Sequence, residues 1–306
     1  MAQQNALETH FWFDGVERPI TNVTYDLDYQ PEDASSTATS GDGTDTTTKR
    51  PKSTSSITYD LRDALGAEIS SGTLTAGQVY QVTAVDTELA AYAVGELFTA
   101  DGTETMSADD KVKPLGAKLH AENMSISIAS STSYPVTDLT FNETYGEDDA
   151  SSTSTGADAY ESTYKRAART CDITIIMDSA AADILVNSAP ANKAIVITLA
   201  SGNTITGNGI FVKKSNDLNA RDGGLIKTQY TINWQGTPVS TLNLLTPKLS
   251  KAVKRIAKIG SSTNKEQTGN GIIFTTSFTA SPMSGGLIPV TQTMTWQGSV
   301  TDAVAN

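Results

Sequence analysis

The chain has 306 residues, enough for two domains of ordinary size, each with a core of its own. A formal charge of −12 and a pI near 4.6 disfavour adhesion to nucleic-acid phosphate or to an anionic membrane, except through local basic patches. The single Cys171 excludes an intrachain disulfide, and 38% apolar content with abundant Ser, Thr, Gly and Asp reads as many short strands joined by polar turns. Met1 to Asn5 carries neither the basic run nor the apolar core of a signal peptide, and no stretch nears the roughly 18 apolar residues of a membrane span. The expectation is a soluble protein made in a cytoplasm.

In chain order, residues 8–65 read as strand, long polar loop (30–49), strand, the second strand being Ser55 to Leu61. Residues 66–117 open on a β pattern from Ser71 to Val82 and continue it at Gly95 to Ala100, which suggests a small β accessory module. From residue 118 the strand–loop–strand pattern returns, with a loop at 146–165 and a β-branched strand from Cys171 to Met177. Ser179 to Leu185 suggests a short helix, and Ala194 to Leu199 an extra strand with no visible equivalent elsewhere. Gly223-Gly224 marks a turn before a strand from Thr228 to Trp234. Thr246 as cap, Pro247 in the first turn, Gly260 at the end, and Leu249, Ala252, Val253, Ile256 and Ile259 between them predict a second helix. Its Lys248, Lys251, Lys254, Arg255 and Lys258 form either a solvated basic face or a contact with an acidic surface of another subunit. A strand from Val290 to Trp296 closes the chain.

Comparing the chain with itself is more informative. Pro19-Ile20-Thr21-Asn22-Val23-Thr24 recurs as Pro135-Val136-Thr137-Asp138-Leu139-Thr140, a shift of 116, with 17 identities over 40 ungapped positions that include Tyr29/Tyr145 and Lys49-Arg50/Lys165-Arg166. A second repeat has a shift of 62: Thr206-Gly207-Asn208-Gly209-Ile210 becomes Thr268-Gly269-Asn270-Gly271-Ile272, and Trp234-Gln235-Gly236 becomes Trp296-Gln297-Gly298. The two shifts predict one continuous domain at 118–245 and one homologous domain split between 8–65 and 246–303, with 66–117 inserted. The expected fold is mainly β: two β-sandwich or barrel-like domains, each with a short helix, plus the accessory module.

Candidates for chemistry are few. His10 and His120 belong to no ligand-spaced cluster, and Cys171 sits in a strand without a general base. Glu32-Asp33, Asp109-Asp110 and Glu147-Asp148-Asp149 show no calcium-loop spacing. Gly207-Asn208-Gly209 and Gly269-Asn270-Gly271 lack the Lys-Ser/Thr and helix start of a phosphate cradle and read as turns. No catalytic, cofactor or metal residue is expected. The two long loops are the better candidates, because both keep acidic starts and Lys-Arg ends. Glu32, Asp33, Lys49, Arg50, Asp148, Asp149, Lys165 and Arg166 are therefore the candidate assembly residues, pairing across subunits.

An opening β pair with a long acidic loop, a helix and a closing strand such as Leu225 to Gly236 or Leu287 to Gly298 resembles the tail tube (major tail) proteins of tailed bacteriophages, over about 240 residues. The resemblance implies a structural virion protein, assembled in the bacterial cytoplasm, that forms stacked rings through which DNA is ejected without specific binding. It implies self-association, here as trimers with pseudo-sixfold symmetry, and contacts with tail terminator, tape-measure and distal tail proteins, but none with a membrane. Its members are usually single-unit, so the duplication is a departure. The rival readings are another virion part (a capsid decoration or distal tail/baseplate component) and an enzyme such as a carbohydrate hydrolase.

Overall fold

The computed structural model describes residues 9–29, 31–33, 46–48, 51–107, 109–129, 133–150, 160–177, 192–217, 226–245, 247, 249–259 and 263–305. The strands, in chain order, are β1 (Thr9–Phe13), β2 (Val16–Arg18), β3 (Ile20–Val23), β4 (Asp26–Asp28), β5 (Pro31–Asp33), β6 (Thr46–Thr48) and β7 (Lys52–Asp60), then β8 (Gly72–Thr73), β9 (Val79–Ala84), β10 (Leu97–Thr99), β11 (Thr105–Met106) and β12 (Lys111–Pro114). They continue with β13 (Ser125–Ile128), β14 (Ser133–Asp149), β15 (Ser162–Met177), β16 (Lys193–Thr198), β17 (Thr204–Asp217) and β18 (Ile226–Ser240). β19 (Lys251–Ile259), β20 (Thr263–Ala280) and β21 (Pro289–Ala305) complete the set. The mainly β expectation holds.

Strands β13, β16, β17, β18, β15 and β14 pair in that order, and β13 pairs back to β14, so the circuit closes as a barrel. Its inner face is built from alternate β-branched residues: Ile126 and Ile128, Ile173 and Ile175, Ile195 and Ile197, all at most 2% exposed. Burying each such side chain is worth about 2 kcal/mol, which fixes which face of every strand points inward.

The remaining long strands run β1–β19–β20–β21–β7, and β7 then pairs β3 and β4. β1 also pairs β2, which leads through Pro19 into β3, so this set too comes round on itself as a second, barrel-like circuit, first in chain order. Their registers match the closed barrel position by position. Ile20↔Tyr59, Asn22↔Thr58 and Val23↔Ile57 stand where Val136↔Ile175, Asp138↔Thr174 and Leu139↔Ile173 stand, with the same one-residue bulge. Gly271↔Trp296 and Ile273↔Met294 likewise stand where Gly209↔Trp234 and Phe211↔Ile232 do. Strand β7, from the first 65 residues, lies against β21 from the end of the chain, Ile57 opposite Gln292 and Tyr59 opposite Val290.

Gln292 pins that junction. Its fully buried amide accepts from the Tyr59 hydroxyl (2.6 Å) and the Leu245 N–H (3.2 Å) and donates to the Leu245 carbonyl (3.1 Å) and Thr276 Oγ1 (2.8 Å). The amide is thus saturated where the chain leaves β18 for β19, and burial pushes the Tyr59 phenol above its ordinary pKa.

Three expectations are corrected. Of the helix predicted at 246–260, residues 251–259 are strand β19, paired along nine positions with β20 and along five with β1, while Thr246, Lys248 and Gly260 lie outside the described residues. The helical spacing of its apolar residues is real, but β20 and β1 leave backbone groups on either side that only an extended segment can satisfy. Three of its five basic residues have partners within the chain: Lys251 with Asp14 (2.7 Å), Lys254 with Glu266 (3.5 Å) and over the Trp12 ring, and Arg255 over Tyr25. The helix expected at Ser179 to Leu185 lies outside the described residues, among which the helical pieces are the short 3-10 turns Ala200–Gly202 and Pro282–Ser284.

Second, the strand at 194–199 does have an equivalent: β16 meets β17 with Lys193 opposite Gly209, and β19 meets β20 with Lys251 opposite Gly271. The spacing between the two pairs differs by four residues from the 62-residue repeat, which hides the match from an ungapped comparison. Third, the Gly-Asn-Gly sequences are not turns but lie inside β17 and β20. A Cβ at Gly207 or Gly269 would stand 3.2 or 3.1 Å from the ring of Trp234 or Trp296 on the neighbouring strand. The glycine motif and the Trp-Gln-Gly motif are two sides of one contact.

Residues 66–117 form their own unit: a three-stranded sheet β10–β9–β12, the pair β8–β11, and a core of Leu74, Tyr80, Val82, Leu89, Phe98 and Val112. Asp110 is a structural centre there, accepting the N–H groups of Asp86, Thr87, Glu88 and Leu89 and the Ser107 hydroxyl. Burial pushes its carboxyl up, but these donors outweigh that and hold the pKa below its ordinary value. The module docks on the β1–β2 turn: Gly95 approaches so closely that a Cβ there would lie 2.2 Å from the Gly15 carbonyl, and buried Glu17 accepts the Leu97 N–H (2.7 Å).

Two predictions follow from these contacts. Truncation after residue 245 removes β19 to β21, and with them the partners of β1, β7 and Gln292's polar cluster. Hydrogen exchange should then show residues 9–60 unprotected while β13 and β15 to β18 stay protected; retained protection of β7 would contradict the pairing. The second concerns His10, whose Nδ1 lies 2.5 Å from Glu17 Oε1. That hydrogen bond raises its pKa against an opposing desolvation. A raised folded pKa stabilises fully below the unfolded value of about 6.5 and is lost as pH rises through the folded value. The melting midpoint should fall slightly as pH rises above about 6.5, and His10→Gln should flatten that slope.

Candidate assembly surface

The two barrels are joined edge to edge. Residues 139–144 of β14 pair antiparallel with residues 275–280 of β20, from Leu139↔Ala280 to Thr144↔Thr275, so both barrels belong to one 14-stranded sheet. One face of this joint is apolar: the rings of Phe141 and Phe278, both buried, stack with centroids 5.3 Å apart. The other is polar, with Ser277 Oγ donating to Asn142 Oδ1 (2.8 Å), Ser281 Oγ to Asp138 Oδ1 (2.7 Å), and Thr140 and Thr279 hydroxyls 3.3 Å apart. Beyond it Tyr145, Ile272 and Phe274 bury one another as a separate apolar cluster. Arg169 locks this end: it pairs with Glu143, donates to the Tyr145 hydroxyl (2.7 Å) and to the Gly236 carbonyl (3.0 Å), and is 8% exposed.

A second tie runs from the β14–β15 hairpin, through Glu147, Tyr160 and Ser162, to the other barrel. Gln297 of β21 accepts the Ser162 N–H (2.7 Å) and donates to Ser162 Oγ (2.8 Å), while the Gly298 N–H donates to the Tyr160 carbonyl (2.7 Å). Lys52 of β7 pairs with Glu147 (2.6 Å) and sits over the Tyr160 ring.

The sequence candidates are distributed unevenly around these ties. Asp148 and Asp149 are not loop residues but strand positions of β14 opposite Thr163 and Ser162, and Lys165 and Arg166 lie in β15. Lys165 pairs with Asp148 of its own hairpin at 2.8 Å, and Arg166 is exposed. Glu32 and Asp33 form β5, opposite Thr47 and Thr46 of β6; Lys49 and Arg50 lie outside the described residues. The acidic start and basic end of the second loop thus meet in a hairpin, as close antiparallel strands require. Sequence reasoning missed Gln297, Lys52 and the Phe141–Phe278 stack; the recurring Trp-Gln-Gly was the one available signal.

His120 Nδ1 lies 3.1 Å from the Gly285 carbonyl at the surface, and burial together with Asp172 raises the pKa of the Cys171 thiol. Among the described residues no group of three or more His, Cys, Asp or Glu is placed to hold a metal ion, and no helix is long and apolar enough to cross a membrane. Comparison with protein-family models, curated proteins and solved structures gives no match for this chain.

The Gln297 tie sets a test. Gln297→Ala removes two hydrogen bonds between the barrels and should cost about 2 kcal/mol of stability, with accelerated hydrogen exchange at residues 160–165. Unchanged exchange there would show the hairpin held by other contacts.

Proposed function

We propose that the chain is a structural subunit that assembles with copies of itself into stacked rings forming a tube, a DNA conduit of the kind the tailed-phage tail tube proteins build. One observation carries this reading. Two barrels with one pairing scheme are joined edge to edge in a single sheet, so each chain already holds the contact by which like barrels can be set side by side. A ring of such barrels continues the sheet from one to the next and leaves no strand edge open. With two barrels per chain, three chains supply six, and the ring has threefold symmetry with a sixfold look.

The other features accord with it. The net charge of −12 gives DNA phosphate little to bind, which suits passage and not retention. Residues 66–117 have no counterpart in the second barrel and dock on the β1–β2 turn, so they decorate alternate barrels of the ring, on its outer surface in this reading. Tail terminator, tape-measure and distal tail proteins would be the partners at the tube ends and within it.

Electron microscopy of the purified chain tests the proposal. Stacked rings with three chains and six barrels in cross-section are the expected result. A chain that stays monomeric at every concentration, or rings of six chains, would overturn it.

A further inference from the structure

The joint between the barrels uses one edge of each and leaves the matching edges over. At the 116-residue shift β14 corresponds to β3 and β4; at the 62-residue shift the distal half of β20 corresponds to residues 213–217 of β17. Among the described residues β4 has β7 as its one neighbouring strand, and β17 beyond Gly209 has β18 alone. We infer that these two edges join copies of the chain head to tail, residues 24–28 of one copy running antiparallel to residues 213–217 of the next. The register copies the internal joint: Thr24 opposite Asp217, Asp26 opposite Ser215, Asp28 opposite Lys213. As a step of ring building this rests on the tube reading; its register rests on β14 and β20.

Three observations choose a second copy as the occupant. The first is apolar exposure. Tyr145, Ile272 and Phe274, at most 6% exposed where the barrels meet, have as counterparts Tyr29, Ile210 and Val212. Tyr29 is 59% and Val212 52% exposed, and the proposed pairing brings the two edges that carry them together as Tyr145 and Phe274 are brought together within the chain.

The second is polar complementarity. Asp26 and Ser215, both exposed, stand where Asn142 and Ser277 make a 2.8 Å hydrogen bond, so the Ser215 hydroxyl can donate to the Asp26 carboxylate. The first edge carries Asp26 and Asp28, and the second places Lys213 opposite Asp28 in the proposed register. Two acidic edges repel each other, which disfavours pairing of the first edge with itself and favours a closing, heterologous contact. The third is Gln235. Its counterpart Gln297 holds the neighbouring barrel's hairpin at Ser162, whereas exposed Gln235, among the described residues, donates to the Asn233 carbonyl of its own strand, at 3.3 Å. At the 116 shift the residue it would meet on the next copy is Thr46 of β6.

Paired cysteines test the register, because opposed antiparallel positions lie within disulfide reach and the native Cys171 is fully buried. Mixing Asp26→Cys chains with Ser215→Cys chains under mild oxidation should give a covalent dimer and nothing larger, while neither variant cross-links alone. The chain carrying both should give a ladder ending in a closed covalent trimer. Self-cross-linking of Asp26→Cys, or no cross-link in the mixture, would overturn the inference. Rings seen by microscopy without the mixed cross-link would leave the tube standing and sink the register. Cross-links without rings would do the reverse. Independently, Val212→Asp should weaken association by at least about tenfold with the melting of the isolated chain unchanged; undiminished association would also overturn it.

Discussion

The pairing of β14 with β20 is the contact on which the architecture depends. It links residues whose sequence positions lie far apart, Leu139 with Ala280 and Thr144 with Thr275, and it is possible because the first barrel is completed only after the second has been built. Inserting one barrel into the other means that the outer one cannot complete its sheet without placing the inner one, which closes on its own strands. The buried Gln292 enforces this at the crossover, because removing Leu245 from its amide would leave a donor and an acceptor stranded in the core.

How far all this could be read from the amino acids differs from one element to another. The 116- and 62-residue shifts were legible because the matched phrases lie in ladders that run ungapped, β14–β15 against β3–β7 and β17–β18 against β20–β21. β19 was not, for two reasons. Its apolar residues satisfy a helical and an extended period about equally, and its partners lie on β1 and β20, which a local pattern does not see. Counting from Lys193 to Lys251 rather than along the longer repeat would have exposed the match with β16.

The candidate surface was legible only in outline. The charged ends of the long loop were recognised as a unit, but Asp148 and Lys165 satisfy each other across one hairpin, so their retention reflects hairpin geometry before anything else. Beside the Lys52–Glu147 pair, the residues that hold the barrels together are largely uncharged, Phe141, Phe278, Ser277 and Gln297 among them. Uncharged residues at a joint carry no compositional mark, and Gln297 stood out only because Trp-Gln-Gly occurs twice. Asp110 shows the converse, a carboxylate that attracts notice in the sequence and is consumed by four backbone N–H groups of its own module.

Strand length and bulge position explain why a closed barrel should have edges to offer at all. Closure occupies only part of each long strand: β14 meets β13 through residues 133–135 and β20 through 139–144, and β20 meets β19 up to Gly271 and β14 from Thr275. Each change of partner coincides with a bulge, between Val136 and Asp138 in one strand and between Ile273 and Thr275 in the other. An extra residue bends and twists the strand, so its first half can follow the barrel wall while its second turns outward to a neighbour. The same bulges recur between Ile20 and Asn22 and between Phe211 and Lys213, where the described strands supply the first partner and not the second. A bulge kept in an edge strand with nothing to turn toward would twist that edge and leave its ladder open to solvent, a liability for a solitary barrel. Its presence at both leftover edges, in the register that serves the internal joint, makes sense of strands that run past the barrel they close.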